Sequence, residues 1–254
     1  MAGPTRSPLS DLRDRPGSRG TRWLARVGCV ATAIALIALL APALAQSTPG
    51  PCRPLLHEDA TYVVCTVDLR KYRLKAVQKD LAFAMNGGMY HKDWSPVGLY
   101  VEDGREMKRA STASGPGNFH MKPNGVFYAT QDRAGVAETG RYLRQKPKAE
   151  IATQSGPMLV IDGRIHPKIS EEGVSRKVRN GVGVRDPHTV VFAISDGLVT
   201  FGQFARLFRD ALGCQNALFL DGSVSSLYAP ALNRSDWRAP LGPIIGAVER
   251  TERR

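Results

Sequence analysis

Residues 189–222 read TVVFAISDGLVTFGQFARLFRDALGCQNALFLDG, and their reading decides the fold. The first seven, TVVFAIS, form an apolar, β-branched run of strand type. Thr200 then suits a helix N-cap, and Gln203 at N3 completes a capping-box pattern. Phe201, Phe204, Ala205, Phe208, Ala211 and Leu212 recur at helical spacing and give one apolar face. Gly213 is placed to end that helix. Residues 216–221, NALFLD, read as a second strand. Strand, helix, strand at this length predicts a βαβ unit with parallel strands and a right-handed crossover. Ser195 and Asp221 would then share the carboxyl end of one sheet, where ligand sites of α/β units tend to form.

Upstream, the chain offers many short apolar runs broken by Gly, Pro, Asn and Asp. YVVCTVDL, LAFAMN, PVGLYVEDG, NGVFYAT and GPMLVIDG all read as strands. Asp103-Gly104 and Asp162-Gly163 end two of these runs and suit tight hairpin turns, because Asp-Gly tolerates positive φ. Residues 46–59 begin QSTPGPCRP and read as a Pro-rich leader with little structural signal. No linker divides residues 60–250. The expectation is an α+β fold: a single strand-rich, mixed-sheet domain over 60–250, with a C-terminal βαβ unit.

The 254 residues carry 35 Lys+Arg against 23 Asp+Glu, a net charge of +12, with 43% hydrophobic residues. This composition excludes wholesale disorder and fibrous classes. The surplus is uneven. Residues 1–26 hold six arginines and two aspartates, 27–45 are uncharged, and the stretch ends Ala43-Leu44-Ala45. That is the pattern of a secretory signal peptide over 1–45, with cleavage before Gln46; an uncleaved membrane anchor is the alternative. Without it, 209 residues at +8 remain. The remaining excess is scattered and matches no nucleic-acid-binding signature. It suits anionic substrates, so no nucleic-acid partner is expected. Export implies an oxidising compartment, periplasmic or extracellular, where Cys52 and Cys65 are a plausible disulfide and Cys214, among apolar neighbours, reads as a buried thiol.

Several loops combine Gly, Asn and Ser after strands: Asn86-Gly87-Gly88, Asn118, Asn124-Gly125, Gln154-Ser155-Gly156, Arg179-Asn180-Gly181 and Asp221-Gly222-Ser223. Each alone reads as a turn. Together they suit a polar ligand with many hydroxyls. The five histidines are scattered without zinc spacing, and His120, between Asn118 and Asn124, is the one worth testing. No Walker loop or dinucleotide fingerprint occurs, so no cofactor is expected; Asp and Asn ligands for a divalent metal need no tell-tale spacing.

The ordered set MNGGMY, PVGLYVEDG, GNFHMKPNGVFY, TQSGPMLVIDG, RNGVGV, VVFAIS, FARLFRDALGC and ALFLDGSVSSLY resembles the bacterial phosphodiester glycosidase family. That family shares its domain with the lysosomal uncovering enzyme, N-acetylglucosamine-1-phosphodiester α-N-acetylglucosaminidase. The resemblance spans roughly residues 60–248. One departure is that Asp221-Gly222-Ser223 stands where the uncovering enzyme has Asp followed by consecutive glycines, so its substrate does not carry over. The resemblance implies hydrolysis of a sugar-1-phosphodiester in an envelope or extracellular glycan. Glycosidic cleavage needs stabilisation of an oxocarbenium-like transition state and an activated water or nucleophile. A phosphodiester leaving group is a weak base, so one carboxylate plus phosphate donors can suffice. Asp221 is the expected catalytic carboxylate, with Gly222 allowing close backbone approach. Asn86 and Gly87 are assigned to substrate hydrogen bonding, and Arg179 to bidentate phosphate binding. Asn124, Gln154, Ser155, Asn180 and Ser195 are further substrate candidates. Ser155 lacks the surroundings of a nucleophile elbow. The rival reading is a non-catalytic binding module for anionic glycans. Membrane contact is expected only through the N-terminal segment, if uncleaved.

Overall fold

The computed structural model describes residues 50–76, 79–236 and 239–251. The signal-peptide expectation lies outside the described residues. No described helix is long and apolar enough to cross a membrane.

In chain order the strands are β1 (Cys52–His57), β2 (Ala60–Asp68), β3 (Tyr72–Lys75), β4 (Phe83–Asn86), β5 (Tyr100–Glu102), β6 (Arg105–Lys108), β7 (Gly125–Ala129) and β8 (Ala134–Glu138). They continue with β9 (Ile151–Ser155), β10 (Met158–Ile161), β11 (Arg164–Ile165), β12 (Asn180–Asp186), β13 (Thr189–Ser195), β14 (Asn216–Phe219), β15 (Leu227–Ala229), β16 (Arg234–Ser235) and β17 (Ile244–Glu249). Two helices join them, α1 (Thr139–Gln145) and α2 (Phe201–Arg206). The strands form three sheets, in the orders β1-β2-β13-β12-β14-β10-β11, β16-β15-β4-β17-β3 and β6-β5-β9-β7-β8.

Every described pairing is antiparallel, which corrects the expected mixed sheet. Residues 189–222 do fold as strand, helix, strand, and β13 and β14 do run the same way. They are not neighbours. β12 lies between them and pairs antiparallel with both. The reason is local: β12 and β13 close a tight hairpin, with Asp186 opposite Thr189, so that edge of β13 is already occupied when β14 joins the sheet. The strand ends still coincide. Arg179 and Asn180 enter β12 between Ser195 and Leu220, accepting from the Ser195 amide at 2.9 Å and the Leu220 amide at 3.1 Å.

Residues of the first sheet alternate between two cores, as the pleat requires. Val190, Phe192 and Ile194 of β13 face a core shared with Phe83, Met85 and Ile245 of the second sheet and Phe127 of the third. Val191 and Ala193 face the other way, against Phe204, Ala205 and Phe208. On that face β12 carries Gly181 and Gly183. A Cβ on Gly181 would lie 3.1 Å from Phe204, and one on Gly183 would lie 2.8 Å from Phe208. The glycines of Arg179-Asn180-Gly181-Val182-Gly183 thus let α2 sit directly on the sheet.

The capping box at Thr200 is formed, with Gln203 N donating to Thr200 Oγ1 at 3.1 Å and Thr200 N donating to Gln203 Oε1 at 3.0 Å. The helix loosens into a π turn over Leu207–Ala211, and Gly213 follows at φ 64°. Both Asp-Gly pairs make hairpin turns with positive φ at each residue, 46° and 76° at 103–104 and 45° and 78° at 162–163.

The Pro-rich stretch is more structured than its composition predicts, because β1 falls within it. Cys52 stands opposite Cys65 across β1 and β2, and the two are bonded. Cys214 is a buried free thiol whose pKa burial pushes up to about 12.

Candidate functional site

A cleft of about 690 Å³ opens at the carboxyl ends of β13 and β14. Its walls come from five stretches of chain, one of them the short turn Asn118–His120, which supplies Asn118. The loop after β14 supplies Asp221, Gly222, Ser223 and Ser225, and the segment entering β12 supplies Lys177 and Arg179. The loop after β4 supplies Met89 and Tyr90, and α2 supplies Phe201.

Asp221 is fixed from both sides of its backbone. Its amide donates to Gly87 O at 3.1 Å, and its carbonyl accepts from Asn86 Nδ2 at 2.8 Å. The carboxylate caps the short turn Gly222–Val224, accepting from Ser223 N at 3.1 Å. Burial raises its pKa above the ordinary carboxylate value, and the Ser223 bonds offset part of that rise. It is the one carboxylate among the described residues lining the cleft. Gly222 is required where it stands, since a Cβ there would meet the Phe219 ring at 2.5 Å.

Arg179 is 1% exposed yet lines the cleft. Nε donates to Val199 O at 3.0 Å and Nη2 to Ser175 O at 2.9 Å. The guanidinium lies 3.6 Å from the Phe201 ring centroid, stacked as a cation on a π face. Among the described residues no carboxylate pairs with it, and burial lowers its pKa to about 10, so it stays charged at neutral pH. Its partners among the described residues are thus neutral carbonyls and the rings of Phe201 and Phe219, which leave its charge uncompensated by any carboxylate. Lys177 stands beside it, held by backbone bonds to Val199.

Asn86, Asn180 and Ser195 come to this end of the sheet, but as the frame behind the cleft. Asn86 Oδ1 accepts from Asn180 Nδ2 at 2.9 Å and from Ser226 N at 2.9 Å. Asn180 Oδ1 in turn accepts from Ser225 Oγ at 3.2 Å. Ser195 Oγ accepts from Arg179 N at 3.0 Å and donates to Gly197 O at 2.8 Å. None of the three is among the residues lining the cleft: all are at most 1% exposed and engaged by protein groups. Gly87 likewise contributes backbone, its amide donating to Pro243 O at 2.7 Å and its carbonyl accepting from Asp221.

Asn124 and Gln154 belong to the junction with the third sheet. Asn124 donates to Phe119 O at 2.8 Å and accepts from Thr139 Oγ1 at 2.8 Å. Gln154 bonds Leu99, Ser111 and Thr139 through four contacts, the shortest being Nε2 to Ser111 O at 2.7 Å. Both are internal crosslinks, and neither is among the residues lining the cleft. Ser155 is fully buried, away from the cleft lining, and its hydroxyl has no hydrogen-bond partner among the described residues. His120 packs edge-on to Phe119 and is not among the cleft residues.

Sequence reasoning assigned no role to Lys177, Tyr90 and Phe201. Tyr90 sits inside the MNGGMY motif, and Phe201 counts with the apolar face of its helix. No group of three or more His, Cys, Asp or Glu side chains converges among the described residues.

One carboxylate, Asp221, and two cations, Lys177 and Arg179, thus gather at one sheet end of a strand-rich fold. The phosphodiester glycosidase family model matches residues 79–248, and the chain belongs to that family. It is 38% identical over 151 residues to an uncharacterized protein, YigE, of Escherichia coli (strain K12), covering 59% of each chain. The match thus spans less than two-thirds of that relative. The catalytic domain of zebrafish N-acetylglucosamine-1-phosphodiester α-N-acetylglucosaminidase, auto-inhibited by its pro-peptide, superposes with a TM-score of 0.52 at 17% identity, covering 78% of this chain and 82% of that one. A hypothetical protein from Synechocystis superposes with a TM-score of 0.49 at 16% identity, over 78% of this chain and 61% of that one.

Proposed function

We propose that this protein is an exported hydrolase that cleaves a sugar-1-phosphodiester linkage in an envelope or extracellular glycan. The observation that carries the reading is the shared cleft: Asp221 faces the same space as the carboxylate-free cation Arg179 and Lys177. In the reaction the bond between C1 of the sugar and the phosphate oxygen breaks, and that oxygen keeps the electron pair. A water adds its oxygen to C1. Asp221, ionised, opposes the positive charge that develops at C1 and accepts the proton the water gives up. Arg179 and Lys177 hold the phosphate before cleavage and balance the charge it gains as it leaves. A phosphate needs little help to depart, which accounts for a cleft with a single carboxylate.

Export is supported by the signal-like pattern of residues 1–45 and by the bonded pair Cys52–Cys65. The mature surface charge suits an anionic glycan rather than nucleic acid.

The test is turnover by Asp221→Asn on a panel of sugar-1-phosphodiesters. The amide keeps the Ser223 bond but neither accepts the proton nor opposes the charge. A loss of kcat of about 10³-fold or more, with binding retained, is expected. Unchanged hydrolysis would remove Asp221 from the reaction. Wild-type protein that binds such diesters and cleaves none would make this a glycan-binding module.

A further inference from the structure

The loop after β4 displays an aromatic pair that the hydrolysis does not use. Tyr90 bridges to Pro96, and the turn between them is closed by His91 N to Ser95 O at 2.8 Å. Asp93 Oδ1 stiffens it further, accepting from Ser95 N at 3.1 Å and Ser95 Oγ at 2.6 Å. At the tip, Trp94 adopts φ 68°, a left-handed conformation that is unusual for a bulky side chain. Strain of this kind persists where surrounding structure enforces it, and it gathers at ligand clamps. Trp94 is nonetheless 50% exposed, so the loop does not bury the indole it strains to place.

One face of that indole is covered. It stacks on Tyr90 with centroids 5.5 Å apart and planes 27° from parallel. Tyr90 is itself fixed, with its hydroxyl donating to Pro240 O at 2.8 Å and its ring lying flat against Gly242, where a Cβ would come within 2.3 Å. Tyr90 also lines the cleft, close enough for the charge of Asp221 to act on its hydroxyl. Trp94 therefore stands one ring beyond Tyr90 of the cleft wall, with half of its surface open to solvent. Exposed His91, Lys92 and Asp93 flank it.

We propose that Trp94 is a stacking platform for a pyranose ring one unit away from the cleaved linkage, giving the cleft an outer saccharide subsite. A flat indole presents a large rigid contact area at small entropy cost. A pyranose lays its C–H face on such a surface while its hydroxyls reach outward, and here they meet the flanking polar side chains. A bare phosphate gains nothing from the indole face, and a methyl group is too small to cover it and has no hydroxyls for the flanking side chains. The identity of the ligand rests on the proposed hydrolase activity; the platform itself rests on the loop.

The experiment compares three diesters of one sugar-1-phosphate: a methyl aglycone, a hexose aglycone, and a methyl aglycone with a hexose added to the cleaved sugar. Trp94→Ala should lower the preference in kcat/KM for one of the extended substrates over the minimal one by about tenfold, the scale of a single stacked ring, with the change in KM. Trp94→Phe should recover most of it. An unchanged preference for both extended substrates overturns the platform. If wild-type protein cleaves none of the three, the hydrolase reading has failed, and calorimetric titration of Asp221→Asn and the Asp221→Asn/Trp94→Ala double variant with the same compounds decides the platform alone. A tenfold weaker grip on an extended diester in the double variant supports it, and equal affinities overturn it.

Discussion

Asp221 occupies a position that suits its chemistry and works against the fold. Burial raises its pKa, so the folded chain holds a proton more tightly there than the unfolded chain does. A carboxyl shifted upward contributes stability that is fully present below its unfolded pKa and lost as pH rises through the folded value. The ionised form, the one the proposed reaction uses, is therefore the less stable one. The acid limb of kcat/KM should accordingly lie above the ordinary aspartate value of about 3.9. Asp221→Asn, measured by thermal unfolding, should match wild type well below the ordinary aspartate pKa and exceed it in stability at neutral pH. A flat difference across that range would mean that Asp221 ionises normally. The residue itself was legible in the sequence, because an Asp-Gly ending an apolar strand is conspicuous. Asn86 is equally conspicuous, but its partners are not legible. An Asn-Gly after a strand looks the same whether its amide faces a ligand or, as here, the Asp221 carbonyl and the Ser226 amide.

At the level of elements, α2 links fold and site. Its first residue, Phe201, carries the ring under Arg179, and its N-cap, Thr200, holds that first turn in place. Thr200→Ala removes one bond to Gln203 N and should cost about 0.5–2 kcal/mol. Because the frayed turn includes Phe201, the same variant should also raise KM for a phosphodiester while leaving the acid limb of the pH profile in place. A stability loss with KM unmoved would show that Arg179 is positioned by Val199 and Ser175 alone. Capping box, apolar face and terminal glycine were all readable, since each depends on residues within a few positions of one another. The partner of β13 was not. Strand–helix–strand spacing fixes direction, but which strand takes each edge depends on β12, whose hairpin with β13 is set by Pro187 and His188 and their neighbours rather than by anything in the crossover.

Across the molecule, the three sheets meet behind the cleft, and the meeting is tight. Gly88 lies just beyond β4 of the second sheet and donates to Thr153 Oγ1 of the third at 3.1 Å. A Cβ there would come within 2.4 Å of Gln154 O. Gly88→Ala should therefore destabilise the protein by roughly 2 kcal/mol through overpacking, and it should lower activity as well, because Gly87 and Asn86 hold Asp221 from the same loop. Denaturant unfolding with kcat/KM reads both; a stable variant with reduced activity would place the loop's role in the site alone. The basic composition, the strand content, the helix with its caps, both Asp-Gly hairpins and the catalytic candidate were determined by the sequence, because each rests on local spacing or on totals. The all-antiparallel pairing, the recruitment of β1 from a Pro-rich stretch, the bonding of Asn86, Asn180 and Ser195 to one another's neighbours behind the cleft, and the union of Lys177, Arg179, Phe201 and Asp221 around one cleft were decided only by the tertiary structure. These depend on which groups, far apart in the chain, are left facing one another once the buried amides and carbonyls have all found partners, and no local pattern encodes that remainder.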